Sequence, residues 1–189
     1  VVPVGHAKAQ NRLGEIYRDG RELPKNVKKA EKWFLRAAEQ GNIDAQVNLT
    51  CLYYDSNPNE ALKWGLIAAE KGSASVQNFV GCLYYNGKIK EDPRNVEKAF
   101  SWFERAAKQG FVRAQCNLGN INRDVKNYKE AFKWYTIAAD NKDAAAQNSL
   151  GLLYAGGKGV AKELAAAANW FLLAAEQNYA QAQYYLGRA

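Results

Sequence analysis

The sequence predicts an all-α fold, a right-handed superhelical solenoid of helix-turn-helix repeats. Two observations carry this prediction: small and apolar residues recur at the spacing of one helix face, and the same block occurs five times within 189 residues. In the clearest block, Ala99, Trp102, Phe103 and Ala106 fall at i, i+3, i+4 and i+7, and Gly110 then stands where a helix would end. A second helical pattern follows at once.

All five tryptophans stand in one register, which makes the repeat the organising feature of the chain. Each has an alanine three residues before it and a double alanine four residues after it; they are Trp33, Trp64, Trp102, Trp134 and Trp170. Four residues beyond the first of those alanines comes a turn residue, which is glycine in three blocks and Lys142 or Asn178 in the others. Because one helical hairpin cannot bury its apolar face alone, stacking predicts that the tryptophans are core residues.

The repeat boundaries follow from an Ala-Gln or Val-Gln pair four residues after each turn residue. The predicted repeats form a single domain and cover residues 9–44, 45–75, 76–113, 114–145 and 146–181, with partial units at 1–8 and 182–189. Asn26 is the predicted N-cap of the second helix of the first repeat. Between the two helices of a repeat, long connectors that contain glycine alternate with tight turns. The long connectors are residues 20–24, 87–93 and 156–160.

Charge, apolar runs and cysteine content bear on nucleic-acid binding, membrane insertion and cellular compartment. The formal charge of +7 raises the question of nucleic acid, but the basic residues are scattered among acidic neighbours, which favours a solvated helix surface over a nucleic-acid site. The longest apolar runs are too short to span a membrane. Three cysteines without a close pair favour a reducing, cytoplasmic compartment, while a trimmed signal peptide would leave a periplasmic or secreted location open.

Catalytic and metal chemistry find little support in the residues. The single histidine, His6, stands near the N-terminus, so a Ser-His or Cys-His nucleophile or a histidine-rich zinc site would depend on that one residue. The glycine-rich stretch 156–159 lacks the Gly-Lys-Ser/Thr ending of a phosphate loop and is better interpreted as a connector. The sequence therefore predicts no catalytic residue, no metal site and no cofactor.

The recurring pattern, Ala-Gln-x-x-Leu-Gly-x-x-Tyr-x-x-Gly followed by Ala-x-x-Trp-Phe-x-x-Ala-Ala-x-x-Gly, resembles Sel1-like repeat proteins, a group within the tetratricopeptide-like α/α solenoids. Asn122 in place of tyrosine departs from it, as do Lys142 and Asn178 in place of glycine. The resemblance implies a non-catalytic adaptor that holds a protein or peptide partner. An alternative is a secreted or periplasmic protein that acts on cell-wall components or a host target. A cysteine-rich subset linked to penicillin binding has paired cysteines, a pattern missing here.

The resemblance also implies a partner-binding face. In tetratricopeptide-like arrays the first helix of each hairpin lines a concave groove, and the residues carried over to it are Asn11, Arg18, Tyr54, Asn78, Cys82, Tyr85, Asn120, Arg123 and Asn148. Asparagine amides can donate to and accept from a peptide backbone, and tyrosine offers apolar area with a polar tip. All three cysteines are expected to face this groove. The alternative is that these side chains are merely polar and solvated.

One specific ligand is disfavoured by the sequence. Some tetratricopeptide domains clamp a C-terminal carboxylate with a constellation of lysine, asparagine, lysine and arginine, and the corresponding positions here do not carry it. The contact is instead expected around Tyr54, Asn78, Cys82, Tyr85 and Arg123, from the middle repeats. The identity of the partner and the oligomeric state do not follow from the sequence.

Overall fold

The computed structural model describes residues 6–90, 92 and 94–187. The first five residues of the partial unit predicted at 1–8 lie outside these ranges, as do Glu91 and Pro93 of the second long connector and the last two residues of the unit predicted at 182–189. Over the described residues the regular structure is helical throughout, without a strand. The chain forms two compact units, Val1–Asn95 and Val96–Ala189.

Each helix packs against the next one along the chain within its unit. Unit 1 contains α1 (Ala7–Asp19), α2 (Val27–Glu39), α3 (Ile43–Tyr53), α4 (Pro58–Glu70) and α5 (Ala74–Tyr85). Unit 2 contains α6 (Val96–Ala107), α7 (Val112–Asp124), α8 (Tyr128–Asp140), α9 (Ala144–Gly156), α10 (Leu164–Glu176) and α11 (Ala180–Leu186). None of the described helices has the length and hydrophobicity needed to cross a lipid bilayer. We call α1, α3, α5, α7 and α9 the first helices of the repeats, and α2, α4, α6, α8 and α10 the second helices.

Side-chain caps begin several helices. The Asn26 side-chain oxygen accepts a hydrogen bond from the backbone N–H of Lys29 at 2.9 Å, which confirms the predicted cap of α2. Asn42, Asn57 and Asp143 cap α3, α4 and α9 in the same way. These caps satisfy backbone donors that would otherwise lack a partner at the start of a helix.

The turn between repeats has one backbone geometry, whichever residue occupies it. Gly41, Gly72 and Gly110 adopt φ of 83°, 95° and 80°, and Lys142 and Asn178 adopt φ of 63° and 62° at the equivalent position. A left-handed backbone costs a residue with a side chain roughly 1–2 kcal/mol, a cost that glycine does not carry. The turn is therefore imposed by the packing of the flanking helices, and lysine tolerates it at a cost.

The structure explains the glutamine of the Ala-Gln pair. Its side-chain amide donates to the carbonyl oxygen of the second alanine in the preceding double alanine; these bonds are Gln46 to Ala38 at 3.2 Å, Gln77 to Ala69 at 3.0 Å, Gln147 to Ala139 at 3.4 Å and Gln183 to Ala175 at 3.3 Å. The bond satisfies a carbonyl at the C-terminal end of one helix with a side chain of the next. Glutamine thus joins successive repeats.

The prediction that the tryptophans form the core needs correction. Only Trp64 is buried, at 7% exposure, and the other four tryptophans are partly exposed. The most deeply buried aromatic is the residue after the tryptophan, as with Phe34 and Phe103, both at 0% exposure. The guanidinium of Arg105 lies 4.3 Å from the centroid of the Trp102 ring. The physical reason for this arrangement is a close contact with glycine.

A glycine on the first helix of a repeat receives that buried ring. A Cβ added at Gly119 would lie 2.5 Å from the ring of Tyr135, and one added at Gly14 would lie 2.5 Å from the ring of Phe34. In the second repeat the residue with a side chain and the glycine change places. Thr50 stands on the first helix, where the other repeats have glycine. Gly65 then replaces the aromatic residue, and a Cβ there would lie 3.2 Å from Thr50 Cγ2. In each of these three contacts a glycine therefore makes room for a side chain of the neighbouring helix.

Candidate functional site

The predicted partner-contacting residues fall into two sets, one in each compact unit. Asn11 and Arg18 lie on α1, Tyr54 follows α3, and Asn78, Cys82 and Tyr85 lie on α5, all in unit 1. Asn120 and Arg123 lie on α7 and Asn148 lies on α9, all in unit 2.

A polar network joins α1 to α3 in unit 1. Arg18 Nη1 donates to Asn48 Oδ1 at 2.6 Å, Asn48 Nδ2 donates to Asn11 Oδ1 at 2.9 Å, and Asn11 Nδ2 donates to Glu15 Oε1 at 3.1 Å. Arg18 also bonds Asp19 at 2.8 Å, and this bond raises the pKa of Arg18 and lowers that of Asp19. Asn11 is only 7% exposed, so its amide positions the two helices and presents little surface to a partner.

A groove of about 190 Å³ lies between α3 and α5. Its lining residues are mostly apolar: Val47, Thr50, Cys51, Ser75, Val76 and Phe79. The Cys51 residue is exposed, and desolvation raises the pKa of its thiol despite the opposing charge of Arg18. The thiol is therefore protonated at neutral pH and is a weak nucleophile. The groove suits an apolar side chain better than a reacting group.

Tyr54 stands beside this groove. Its ring packs edge-on against Phe79 with centroids 4.7 Å apart, and its hydroxyl accepts a hydrogen bond from Asn86 Nδ2 at 3.0 Å. Lys88 Nζ lies 5.4 Å from the centroid of the Tyr54 ring and pairs with Asp55 at 2.9 Å. The structure therefore brings Tyr54 to the groove through a residue, Phe79, that the sequence prediction missed.

The other predicted residues of α5 have different surroundings. Asn78 is 8% exposed, and its Nδ2 lies 4.0 Å from Cys82 Sγ. The guanidinium of Arg94 lies 5.2 Å from the centroid of the Tyr85 ring. Asn78, like Asn11, offers little of its amide to solvent, whereas Tyr85 and Cys82 are half-buried.

In unit 2, Arg123 reaches a second cavity, of about 230 Å³. The residues that line it are Arg123, Tyr128, Ser149, Leu152, Leu153, Gly156 and Lys158. Arg123 Nη2 also pairs with Asp124 Oδ1 at 3.3 Å. Asn120 accepts a hydrogen bond from the Tyr135 hydroxyl at 2.8 Å, and Asn148 is buried at 3% exposure. Arg123 is thus the predicted residue of unit 2 that lines a cavity.

One signal in the repeat register would have found several of the missed residues. The residue two positions after the repeat glutamine is Asn48 in the network, Phe79 in the groove and Ser149 in the cavity of unit 2. Lys158 was missed for a different reason, since its glycine-rich stretch was interpreted as a connector with room to contact a partner and not as the wall of a cavity.

The three cysteines do not share one groove-facing environment, so that expectation is wrong. Cys51 is exposed, Cys82 is half-buried and Cys116 is buried within the core cluster of unit 2 that contains Tyr135. Burial, with a contribution from Asp143, raises the pKa of the Cys116 thiol to about 12. Position in the repeat thus determines the helix face but not the depth. Within the described ranges, no cluster of three or more histidine, cysteine, aspartate or glutamate side chains is arranged to hold a metal ion.

Comparisons with known proteins agree on the family. The Sel1 repeat family model matches residues 7–42, 44–73, 74–111, 112–143 and 144–179, with boundaries within about two residues of those predicted from the sequence. No curated protein sequence matches the chain. Structures of other proteins do match, and they include two proteins at more than 30% identity.

The first of these is a protective antigen present in uropathogenic Escherichia coli strains that displays an SLR fold, with 34% identity and a TM-score of 0.88. The match covers 97% of this chain but 41% of the antigen's, so this chain spans less than half the length of that relative. A Sel1 repeat protein from Oxalobacter formigenes is 31% identical with a TM-score of 0.87, over 97% of this chain and 76% of its own.

A more distant structure supports the fold alone. The protein MamA is 20% identical, with a TM-score of 0.64 over 94% of each chain. The prediction of an all-α fold of tetratricopeptide-like helix-turn-helix repeats is confirmed by the helices and by these neighbours. The family model matches the chain five times and covers nearly the whole length of the chain. The chain therefore belongs to the Sel1 repeat family.

Proposed function

We propose that this chain is a non-catalytic interaction module that binds an extended peptide segment of a protein partner against the first helices of its repeats. The observation that carries the proposal is the groove between α3 and α5, lined by Val47, Val76 and Phe79. An apolar side chain of the partner would fill it and remove that apolar lining from water.

Residues around the groove can contact the parts of a peptide that lie outside it. Tyr54 borders it through Phe79 and supplies a large, amphipathic contact surface of the kind that often dominates binding energy. Arg18 is partly exposed at the end of α1. Its positive charge lies close enough to Cys51 to lower the pKa of the thiol against the larger effect of desolvation. Both tyrosine and arginine are enriched at the energetic centres of protein interfaces.

The non-catalytic part of the proposal is supported by the chemistry of the thiols. The pKa values of Cys51 and Cys116 are both raised by desolvation, which is the reverse of what an activated cysteine nucleophile requires. Cys51, the more accessible of these two, lies in a groove without a base among its lining residues. These thiols therefore suit packing and contact.

The proposal is tested by selecting peptides and mapping where they bind. A phage-displayed random dodecapeptide library is panned against the whole chain, and the affinities of the selected peptides are measured by fluorescence anisotropy. Val47→Glu places a charge in the groove and is expected to weaken binding by about tenfold or more. Ile67→Glu is the matched control, because Ile67 is a 40% exposed apolar residue on α4, in the same unit but outside the groove lining.

Unchanged circular dichroism and melting temperature in both variants would show that they remain folded. Binding that survives Val47→Glu but is lost with Ile67→Glu would move the interface to the second helices and contradict the proposal. A selection that yields no specific binder would contradict it as well.

A further inference from the structure

We infer that the cavity of unit 2 recognises an acidic side chain, aspartate or glutamate, next to an apolar residue in a peptide that binds this unit. This inference rests on the proposed function and names the class of peptide. The two charged side chains in the cavity lining are both cations, Arg123 and Lys158. Leu152 and Leu153 supply an apolar surface beside them.

Lys158 belongs to a connector that is fixed to the body of unit 2. The Lys158 N–H donates to Leu153 O at 3.0 Å and the Glu163 N–H donates to Tyr154 O at 3.1 Å. Val160, between them, packs against the core cluster of the unit. The connector is therefore a structured part of the cavity wall, and the backbone of Lys158 is held in place by it.

A glycine brings this connector against the start of α8. Gly159 adopts φ of 72°, and a Cβ there would lie 2.5 Å from the backbone carbonyl of Tyr128. Because only glycine permits this approach, the connector lies directly beside Tyr128. Lys158 Nζ lies 5.4 Å from the centroid of the Tyr128 ring, which places the ammonium group beside another residue of the cavity lining.

Arg123 supplies the second cation from the last turn of α7. Its guanidinium pairs with Asp124 at 3.3 Å, an exposed contact of the kind that contributes little to stability. A guanidinium and an ammonium group at one cavity favour a carboxylate, which can accept charge-assisted hydrogen bonds from both. The neighbouring leucines then select an apolar residue beside the acid.

This site differs from the C-terminal carboxylate clamp that the sequence disfavours, because the ligand here is a side chain within a peptide. The distinguishing probe is the random dodecapeptide library displayed with its C-terminus fused to the coat protein, so that no free carboxylate is present. Peptides selected by the whole chain are expected to be enriched in aspartate or glutamate next to an apolar residue.

The variants Arg123→Gln and Lys158→Gln should each remove that enrichment. For a synthetic amidated peptide from the selection, replacing its glutamate by glutamine should weaken binding about tenfold, the scale of a lost hydrogen bond to a charged group. Lys162→Gln is the matched control, since Lys162 is an exposed lysine between α9 and α10 that lies outside the cavity lining. It should retain both the enrichment and the affinity.

Each other outcome has a separate meaning. Binders that lack an acidic preference but remain sensitive to Val47→Glu would leave the proposed function standing and overturn this inference. An equal effect of Lys158→Gln and Lys162→Gln would show only diffuse charge attraction and overturn it too. Displacement by millimolar inorganic phosphate without any preference for acidic peptides would indicate a small-anion site instead. The absence of any binder would overturn both proposals.

Discussion

Gly119→Ala tests the contact between glycine and the buried ring. A Cβ at position 119 would lie 2.5 Å from Cδ1 and Cε1 of Tyr135, whereas ordinary carbon contacts are about 3.5–4.0 Å. The ring would have to move by about 1 Å, yet Tyr135 is 0% exposed and its hydroxyl bonds Asn120 at 2.8 Å. Overpacking of this kind lowers the free energy of unfolding by about 1–3 kcal/mol. The higher helix propensity of alanine offsets up to about 1 kcal/mol of this loss. We expect a net loss of about 1–2 kcal/mol.

Urea denaturation followed by circular dichroism gives the free energy of unfolding, and a double-mutant cycle isolates the clash. In a Tyr135→Ala background the ring is absent, so adding Gly119→Ala should be neutral or stabilising. Gly156→Ala is the matched control, because the nearest atoms to a Cβ there belong to the flexible Lys158 side chain, at 3.5 Å. Equal effects of Gly119→Ala in the two backgrounds, or stabilisation in the parent, would show that the ring contact is not the cause.

Three further predictions concern the turn, the core and the thiols. Lys142→Gly should stabilise the chain by about 0.5–1 kcal/mol in urea denaturation, because glycine relieves the left-handed backbone at φ of 63°; destabilisation would contradict this. Phe103→Ala should cost about 3–5 kcal/mol and Trp102→Ala clearly less, since Phe103 is the buried member of the pair; the reverse order would restore tryptophan as the core residue. In the folded chain at pH 8, a thiol-reactive chromogenic disulfide should modify Cys51 well before Cys116, because Cys116 is buried with its pKa raised to about 12; equal rates would contradict the burial.

The repeat register predicted the helices well because their signals are local. Apolar spacing, an asparagine cap such as Asn26 and a turn residue every repeat are properties of short segments, and the structure follows them within a few residues. Even the turns at Lys142 and Asn178 keep the glycine geometry. Periodicity could not decide which of two adjacent aromatic residues is the deeper, because both lie within one apolar helix face.

The candidate site was harder to predict because depth and long-range pairing are not encoded in one repeat. The register placed Asn11, Asn78 and Asn148 on the first helices, yet all three are buried. Arg123 was identified from the register, but its companion Lys158 lies in a connector whose position depends on the contact of Gly159 with Tyr128. Such a contact joins distant segments and has no sequence signature within the repeat.

NMR locates peptide binding on the first helices without a substitution. Amide chemical-shift changes are mapped on the isotope-labelled whole chain during titration with a selected peptide. We expect the largest changes around Val47, Cys51 and Phe79 on α3 and α5 for peptides that fill the groove of unit 1, and around Leu152 and Lys158 for peptides that bind the cavity of unit 2. Changes concentrated on the second helices, around Ile67 on α4 or Ile137 on α8, with the groove residues unaffected, would contradict it.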